Sequence, residues 1–561
     1  MKRIIDFLTR RDGNRACDLT FLLLVFGGAF LQFLGRIPLI EPDEGRYAEV
    51  SREMLELGDF ITPHLNYVKY FAKPPLHYWL DALSFTVFGQ NEFAARFPGA
   101  VMGLMTVLLT YLVGRSLFGR REGLLAALIL GTSTGFLVQA RINFIDMTLT
   151  CTLSAALAFF ILAAREGESR KGLYYHLFYI FAALAVLAKG LIGIVFPGAV
   201  IFLYILFTGN WKLMKEMRLL TGIPLFLMAC APWFILVSIK NPEFPAYFFI
   251  EEHFSRFTSA IHHHREGVWF FIPVLLGTML PWSFFIPASL RGVWSDRRSP
   301  EGAVRLYLTV WAVFIFIFFS ISKSQLIPYI LPVVPPLALL MGCAYARISF
   351  VGSRLLKIQC YSVASVLTIG GAGIIFYPHF ASHPGFSATC AAVVGGILLM
   401  EGIMSFRNTL HGSILPIFTV FLLCSYIVCI AATNFLLPDL TEKRSYKEMG
   451  LIVREKAGKD GIIASFGLRQ GLSFYSGRRV LIVGDRGEAE FGSRQGDQSP
   501  WFYDLKRFAM LWDSSTPVFT LLTREELKYL QGLARTTPRI ISQNGKRILI
   551  TNNSAEGKRR F

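Results

Sequence analysis

The chain has 561 residues, of which 53% are hydrophobic and only 17% charged, with 51 Phe and a formal net charge of +18. Soluble chains carry about 25% charged residues, so the composition argues against a water-soluble enzyme, and the apolar content excludes a disordered chain. The same apolar excess excludes a nucleic-acid binder despite the basic balance, leaving a polytopic membrane protein with basic cytoplasmic loops.

A basic N-terminus (Lys2, Arg3, Arg10, Arg11, Arg15) precedes the first apolar stretch, 19–37. That stretch is too long for a signal-peptide core and lacks a small-residue cleavage site, which predicts an anchor. Further stretches follow at 93–113, 124–138, 142–163, 174–188, 191–207, 219–239, 268–290, 306–321, 327–346, 361–377, 388–404 and 415–437. Measured against the ~20 apolar residues that a span needs, they predict about thirteen transmembrane helices. The loops alternate in charge. One set holds Arg115/Arg120/Arg121, Arg165/Arg170/Lys171, Lys212/Lys215/Arg218, Arg291/Arg297/Arg298 and Arg347/Arg354/Lys357, while the short loops between hold single charges, Arg141, Lys189 and Lys323. This positive-inside pattern puts the N-terminus in the cytoplasm. An odd number of spans then puts the C-terminal region outside, in the periplasm of a Gram-negative cell. Asp43, Glu44, Arg46, Lys73, Asp146, Lys189 and Arg256 converge on that outer face. Ionisable groups at membrane level mark functional sites, anchoring at helix ends being the structural alternative. Of the eight cysteines, all but Cys17 fall in or beside apolar stretches and none forms CxxC, so they read as small buried hydrophobes rather than zinc ligands or disulfides.

The first external loop begins Glu41-Pro42-Asp43-Glu44-Gly45-Arg46-Tyr47. Pro42 stops the preceding helix, and Asp43 falls at or near a new helix start, where a carboxylate suits the dipole or caps the helix. Tyr47, Val50, Met54 and Leu57 recur at helical spacing, with Arg46, Glu49, Arg52, Glu53 and Glu56 mostly elsewhere. This predicts an amphipathic helix along the membrane surface. Further on, Pro74-Pro75 fixes Lys73 in an extended conformation at the head of another short helix. An ammonium held there is a candidate phosphate clamp, with a snorkelling lysine as the alternative.

The later external loop carries Glu251-Glu252-His253-Phe254-Ser255-Arg256 and then His262-His263-His264. Three adjacent histidines cannot all face one metal from a regular element. From Pro438 the composition changes. Segments 461–466, 480–483, 518–522 and 547–551 read as short buried strands separated by helical and Gly-rich segments. The chain thus divides into a transmembrane domain, 1–437, and a small soluble α/β domain, 438–561. The latter lacks GxGxxG and GxxxxGK[ST], so no soluble nucleotide is implied.

PDEGRYAE after the first span, FAKPPLHYW, and an Asp in ARINFIDMTLT form an ordered set. It resembles the membrane glycosyltransferases of the GT-C fold that use polyprenyl-phosphate sugars. Protein O-mannosyltransferases share the looser pattern. The tighter resemblance is to the lipid A aminoarabinose transferases, and LAKGLIG, EEHFSRF and SKSQLIPYILPVVPP extend it over most of the chain. The resemblance implies a mainly α, polytopic GT-C fold in the bacterial inner membrane, with amphipathic juxtamembrane helices and a small C-terminal α/β extracytoplasmic domain. It implies transfer of 4-amino-4-deoxy-L-arabinose from undecaprenyl phosphate to a lipid A phosphate, by single displacement with inversion, a modification tied to polymyxin resistance. Asp43 matches the leading catalytic carboxylate and Asp146 the second acidic position. Arg46 and Lys73 match positions that bind the lipid-linked phosphate, and Lys189, Arg256 and Tyr329 further polar positions around the cavity. The glutamate often found before the Lys-Pro-Pro lysine is Ala72 here; no metal and no cofactor are assigned, and metal dependence stays open. The implied partners are the lipid-linked donor, a lipid A acceptor and membrane lipids, with no nucleic acid. Transfer of another sugar to protein or lipopolysaccharide is the rival within the class. A flippase or secondary transporter is the rival outside it, disfavoured because the charges gather at one face and no repeat is visible.

The implied chemistry explains the residue types. Negative charge grows on the departing lipid phosphate, and fixed cations stabilise that transition state. A serine or threonine acceptor would need a general base, whereas a lipid A phosphate is already ionised. Asp43 then orients the donor or balances positive charge at the anomeric carbon, and Asp146 is expected to hold Arg46 or Lys73 in place.

Overall fold

A computed structural model describes residues 12–165, 169–255, 266–346, 354–381, 386–411, 414–431, 434 and 444–553. The chain forms two compact units: Met1–Leu34 with Arg96–Leu437, and Gly35–Ala95 with Pro438–Phe561. The first external loop therefore belongs to the same unit as the C-terminal region.

In the first unit the apolar stretches fold as helices, as expected. Among the described residues, eight are long and apolar enough to cross a membrane: Glu92–Leu117, Ile145–Ala164, Lys171–Lys189, Leu219–Lys240, Pro300–Ile321, Ile327–Tyr345, Arg354–Phe380 and Ala388–Leu410. A ninth candidate is the pair Phe271–Thr278 and Trp282–Ser289, bent by 107°. The other expected spans fall on shorter helices. Arg15–Leu31 and Ile192–Thr208 have 17 residues each and Ile414–Ala431 has 18. The stretch 124–138 is interrupted at Ser133, which separates Arg120–Thr132 from Thr134–Gln139. Hydropathy registers the apolar run but not that break, the short helices or the bend, so the sequence count runs above the number of full-length helices among the described residues.

Two buried polar clusters tie this unit together. Asp18, fully buried on Arg15–Leu31, accepts from Arg120 Nη2 at 2.5 Å, Arg115 Nη1 at 3.1 Å and the Tyr111 hydroxyl at 2.5 Å. A carboxylate at such a place is stable only when paired and hydrogen-bonded in this way. Arg141 donates to the carbonyls of Ala29, Phe30 and Gln32, supplying donors at the end of that helix, where carbonyls have no intrahelical N–H partner.

The second unit is a three-layer α/β/α arrangement joined by the first loop. The loop supplies α1 (Asp43–Leu57), a hairpin of β1 (His64–Leu65) and β2 (Val68–Lys69), and α2 (Leu76–Phe88). Asn66 and Tyr67 take left-handed backbone, with φ of 55° and 61°, the geometry of a tight two-residue hairpin turn. Asn66 then exchanges two hydrogen bonds with the Val480 backbone, at 2.8 and 2.9 Å.

The C-terminal region adds α3 (Lys447–Lys456), β3 (Ile462–Phe466), α4 (Gln470–Ser476), β4 (Leu481–Val483), β5 (Phe502–Tyr503), α5 (Leu505–Trp512), β6 (Val518–Thr523), α6 (Arg524–Gln531), β7 (Arg539–Asn544) and β8 (Arg547–Thr551). The sheet order is β5-β4-β3-β6-β8-β7. β5, β4, β3 and β6 run parallel, and β8 and β7 are antiparallel. Side chains alternate between the faces. Ala464, Phe466, Leu481, Val483, Ile548 and Ile550 pack with Phe508 and Trp512 of α5 and Leu530 of α6. Ile463, Val480, Phe519, Leu521 and Leu549 pack with Met449 and Val453 of α3 and Leu472 of α4. All four strands read from the sequence are present. β5 and β7 were not foreseen, because β5 is two residues long and β7 is largely exposed.

The helix expected to present a polar face to water does not. Within α1, Glu49, Arg52 and Glu53 are as buried as Val50 and Met54. Arg52 pairs with Glu49 through Nε at 2.7 Å and Nη2 at 2.8 Å, and Glu53 Oε2 accepts the Tyr67 backbone N–H at 2.8 Å. Its polar side is turned into the unit, and largely paired there, because the hairpin, α2 and α4 all pack on it; Glu53 Oε1 and Arg46 Nε stay buried without a hydrogen-bond partner.

Candidate functional site

Pro42 occupies the position before α1 and makes no side-chain capping bond, so Asp43 is the first helical residue rather than the cap. Its carboxylate instead pairs with Nη2 of Arg46, one turn on. Arg46 is only 8% exposed. Its Nη1 pairs with Oε1 of Glu488, whose Oε2 accepts the Tyr70 hydroxyl at 2.7 Å. Burial disfavours the charged guanidinium, but Glu488 leads the opposing effects and holds Arg46 well above its ordinary pKa. Burial, and then Glu488, hold the Tyr70 phenol well above its own, so it stays a donor. Arg46 is therefore a fixed positive charge, gripped by two carboxylates, with Asp43 half-exposed beside it.

Lys73 lies just before Pro74-Pro75 and α2, as the sequence predicts, is half-buried, and donates to the Ala72 carbonyl at 2.7 Å. Sequence reasoning missed the carboxylate Glu488 altogether and gave Tyr70 no role. Glu488 follows β4 in the segment Gly484-Asp485-Arg486-Gly487-Glu488, where Gly484 and Gly487 have φ of 80° and 49°. A glycine-flanked turn after a buried parallel strand is where doubly wound sheets carry functional residues, and that was the available signal.

The remaining candidates lie in the first unit. Asp146 sits in the first turn of Ile145–Ala164, and Lys189 is the last residue of Lys171–Lys189, which Gly190 ends with φ of 78°. A carboxylate at a helix start and an ammonium at a helix end each complement their own dipole. The two form an ion pair with both residues almost fully buried. The Lys189 ammonium also stands 4.1 Å from the centroid of the Tyr329 ring, a cation–π contact. So Asp146, Lys189 and Tyr329 come together, and Asp146 holds Lys189; the charges gripping Arg46 are Asp43 and Glu488. Arg256 and the triple histidine His262–His264 fall outside the described residues. Among the described residues no group of three or more His, Cys, Asp and Glu is placed to hold a metal ion.

A family model described as dolichyl-phosphate-mannose-protein mannosyltransferase matches residues 72–236, and one described as aminoarabinose transferase C-terminal domain matches residues 449–552. An undecaprenyl phosphate-alpha-4-amino-4-deoxy-L-arabinose arabinosyl transferase of Aeromonas salmonicida is 36% identical over 333 residues, 59% of each chain. The match thus spans about three fifths of that relative's length. The enzyme of the same name from Pectobacterium carotovorum is 34% identical over 400 residues, 69% of this chain and 70% of its own. The crystal structure of ArnT from Cupriavidus metallidurans bound to undecaprenyl phosphate superposes with a TM-score of 0.84 at 29% identity, covering 96% of this chain and 98% of that one. The fold is thus that of the GT-C transferases, with a small sheet in the C-terminal region, and the span matched by the second family model includes Glu488. The chain belongs to the family of undecaprenyl phosphate-4-amino-4-deoxy-L-arabinose arabinosyl transferases.

Proposed function

We propose that this chain is a membrane glycosyltransferase that moves 4-amino-4-deoxy-L-arabinose from undecaprenyl phosphate to a lipid A phosphate. The observation that carries the reading is the Asp43–Arg46–Glu488–Tyr70 constellation, in a chain whose relatives are named for this donor and sugar. An oxygen of the acceptor phosphate attacks the anomeric carbon as its bond to the lipid phosphate breaks, in one inverting displacement. The electron pair leaves with undecaprenyl phosphate, and no proton need be removed from an ionised acceptor. Arg46 and Lys73 meet the growing charge on the leaving phosphate. Asp43 faces the positive charge that develops at the reacting carbon. Lys189, fixed by Asp146, is the corresponding cation of the membrane unit, and Tyr329 shields it. The multi-pass chain sits in the bacterial inner membrane with the transfer on the periplasmic side, a reading supported by the alternation of basic loops.

The test is mass spectrometry of lipid A from cells with and without the gene, and with Asp43→Asn expressed at equal level. The expected result is an aminopentose on lipid A phosphate that needs an intact Asp43. Unmodified lipid A in all strains, with the sugar found on protein, would replace the acceptor in this reading.

A further inference from the structure

The four parallel strands run in space as β5-β4-β3-β6. The chain therefore leaves β3 to one side for β4 and later returns on its other side with β6. Such a reversal opens a crevice beyond the carboxyl ends of the strands, and doubly wound sheets bind ligands there. A cavity of about 530 Å³ lies at that point. Its wall includes 466–470 at the end of β3, 483–485 at the end of β4, Leu505 at the start of α5, Glu526 and Tyr529 of α6, and Arg46 and Glu488 of the candidate site.

The wall carries three carboxylates, Asp485, Glu488 and Glu526, against two guanidinium groups, Arg46 and Arg469. Glu488 is committed to Arg46 and Tyr70. Asp485 accepts one backbone N–H, from Gly487 at 2.9 Å, through Oδ1. Glu526 accepts one, from Thr523 at 2.6 Å, through Oε2 in a capping box. Each keeps its other oxygen, and neither is in an ion pair among the described residues. The excess of acid disfavours a purely anionic guest and favours one that brings a cation. A second feature of the same wall calls for a ligand: the Nε–H of Arg46 is buried and has no hydrogen-bond partner. A buried donor of this kind is expensive to leave unmade and fits a sugar hydroxyl or a phosphate oxygen. A cationic sugar on a phosphate presents both complements at once.

We propose that this crevice seats the aminated sugar of the donor, with Asp485 and Glu526 recognising its ammonium and Arg46 Nε–H donating to an oxygen of the phosphate that carries it. The crevice then selects an amino sugar over a neutral one. The inference rests on the transfer reading above and adds the groups that set its sugar specificity.

The experiment uses the purified full chain in detergent, with lipid A as acceptor and two donors: undecaprenyl-phosphate aminoarabinose and the same lipid with its amine N-acetylated and so uncharged. Asp485→Asn and Glu526→Gln keep the turn and capping hydrogen bonds, and thermal unfolding run in parallel checks that both variants fold. The wild-type chain is expected to prefer the charged donor. Each substitution is expected to raise the KM for that donor on the order of tenfold, the loss of one charge-assisted contact, and to shrink the preference over the N-acetylated donor by the same factor. An equal KM change for both donors overturns the inference, because it marks a general structural effect. A rise confined to the KM for lipid A also overturns it and makes the crevice an acceptor subsite. No transfer by the wild-type chain from either donor removes the functional reading itself, and the inference with it.

Discussion

Arg46 and Lys189 are both nearly buried cations held by carboxylates, and they are held in different ways. Arg46 spreads its fork over two acids, Asp43 and Glu488, and keeps Nε–H without a partner. Lys189 is a single point charge with one acid, Asp146, and the face of Tyr329. A guanidinium can be fixed from two edges and still present a third donor, whereas an ammonium so gripped has less left to offer. The difference teaches where the chemistry belongs. The α1 cluster is poised to grip a ligand through Arg46 while leaving Asp43 half-exposed, and the Lys189 cluster is a fixed charge whose loss is felt first in stability.

The largest expected effect tests the first half of that contrast. Asp43→Asn keeps the shape of the side chain and, because Asp43 is not the helix cap, keeps the start of α1. Transfer in membranes with equal protein is expected to fall roughly 10²–10³-fold, the scale of losing one charged group from a preorganised site. Near-normal transfer would make Asp146 the better catalytic candidate. Next comes stability in the second cluster. Asp146→Ala strands the buried Lys189 ammonium and is expected to cost about 3–5 kcal/mol, as for other broken buried pairs, read as a lower unfolding temperature in detergent. Adding Lys189→Met to Asp146→Asn should restore most of that stability without restoring transfer. Recovery of both would reduce the pair to a packing device.

Arg46→Lys sharpens the comparison further. An ammonium cannot bridge Asp43 and Glu488, and transfer is expected to fall about tenfold or more, with smaller loss from Glu488→Gln, since one carboxylate then remains on Arg46. Equal effects of Arg46→Lys and Glu488→Gln would argue against a two-edged grip.

How much of this was legible in the residues follows from range. Pro42 before Asp43, and Lys73 before Pro74-Pro75, are local signals, and the structure starts α1 and α2 where they say. Apolar runs and short buried strands are local too, so the helices and the β3, β4, β6 and β8 core follow from them. Partnerships are not local. Glu488 reaches Arg46 across 442 positions, Asp146 reaches Lys189 across 43, and the Asn66–Val480 exchange spans 414. Nothing in the spacing of α1 announces that Glu49, Arg52 and Glu53 turn inward, because helical periodicity cannot distinguish a polar face that meets water from one that meets its own ion pairs.

The smallest expected effect concerns Glu41, beside the candidate site in the second unit. Burial raises its pKa from 4.5 to about 8, partly opposed by Arg547. Between those values the folded chain holds a proton that the unfolded chain has released. Stability is therefore full below pH 4.5, declines as pH rises from there towards about 8, and levels off above it. Glu41→Gln should flatten that decline in a pH series of thermal unfolding, and an unchanged slope would place the titration elsewhere.

The central claim is that Asp43 acts on the reacting sugar while Arg46 binds the lipid phosphate. It is tested most directly by measuring undecaprenyl phosphate binding and sugar transfer on the same purified Asp43→Asn and Arg46→Ala proteins. The account predicts a split: Asp43→Asn binds the lipid phosphate as the wild type does and fails to transfer, whereas Arg46→Ala loses binding. Binding lost in Asp43→Asn, or retained in full by Arg46→Ala, would contradict it.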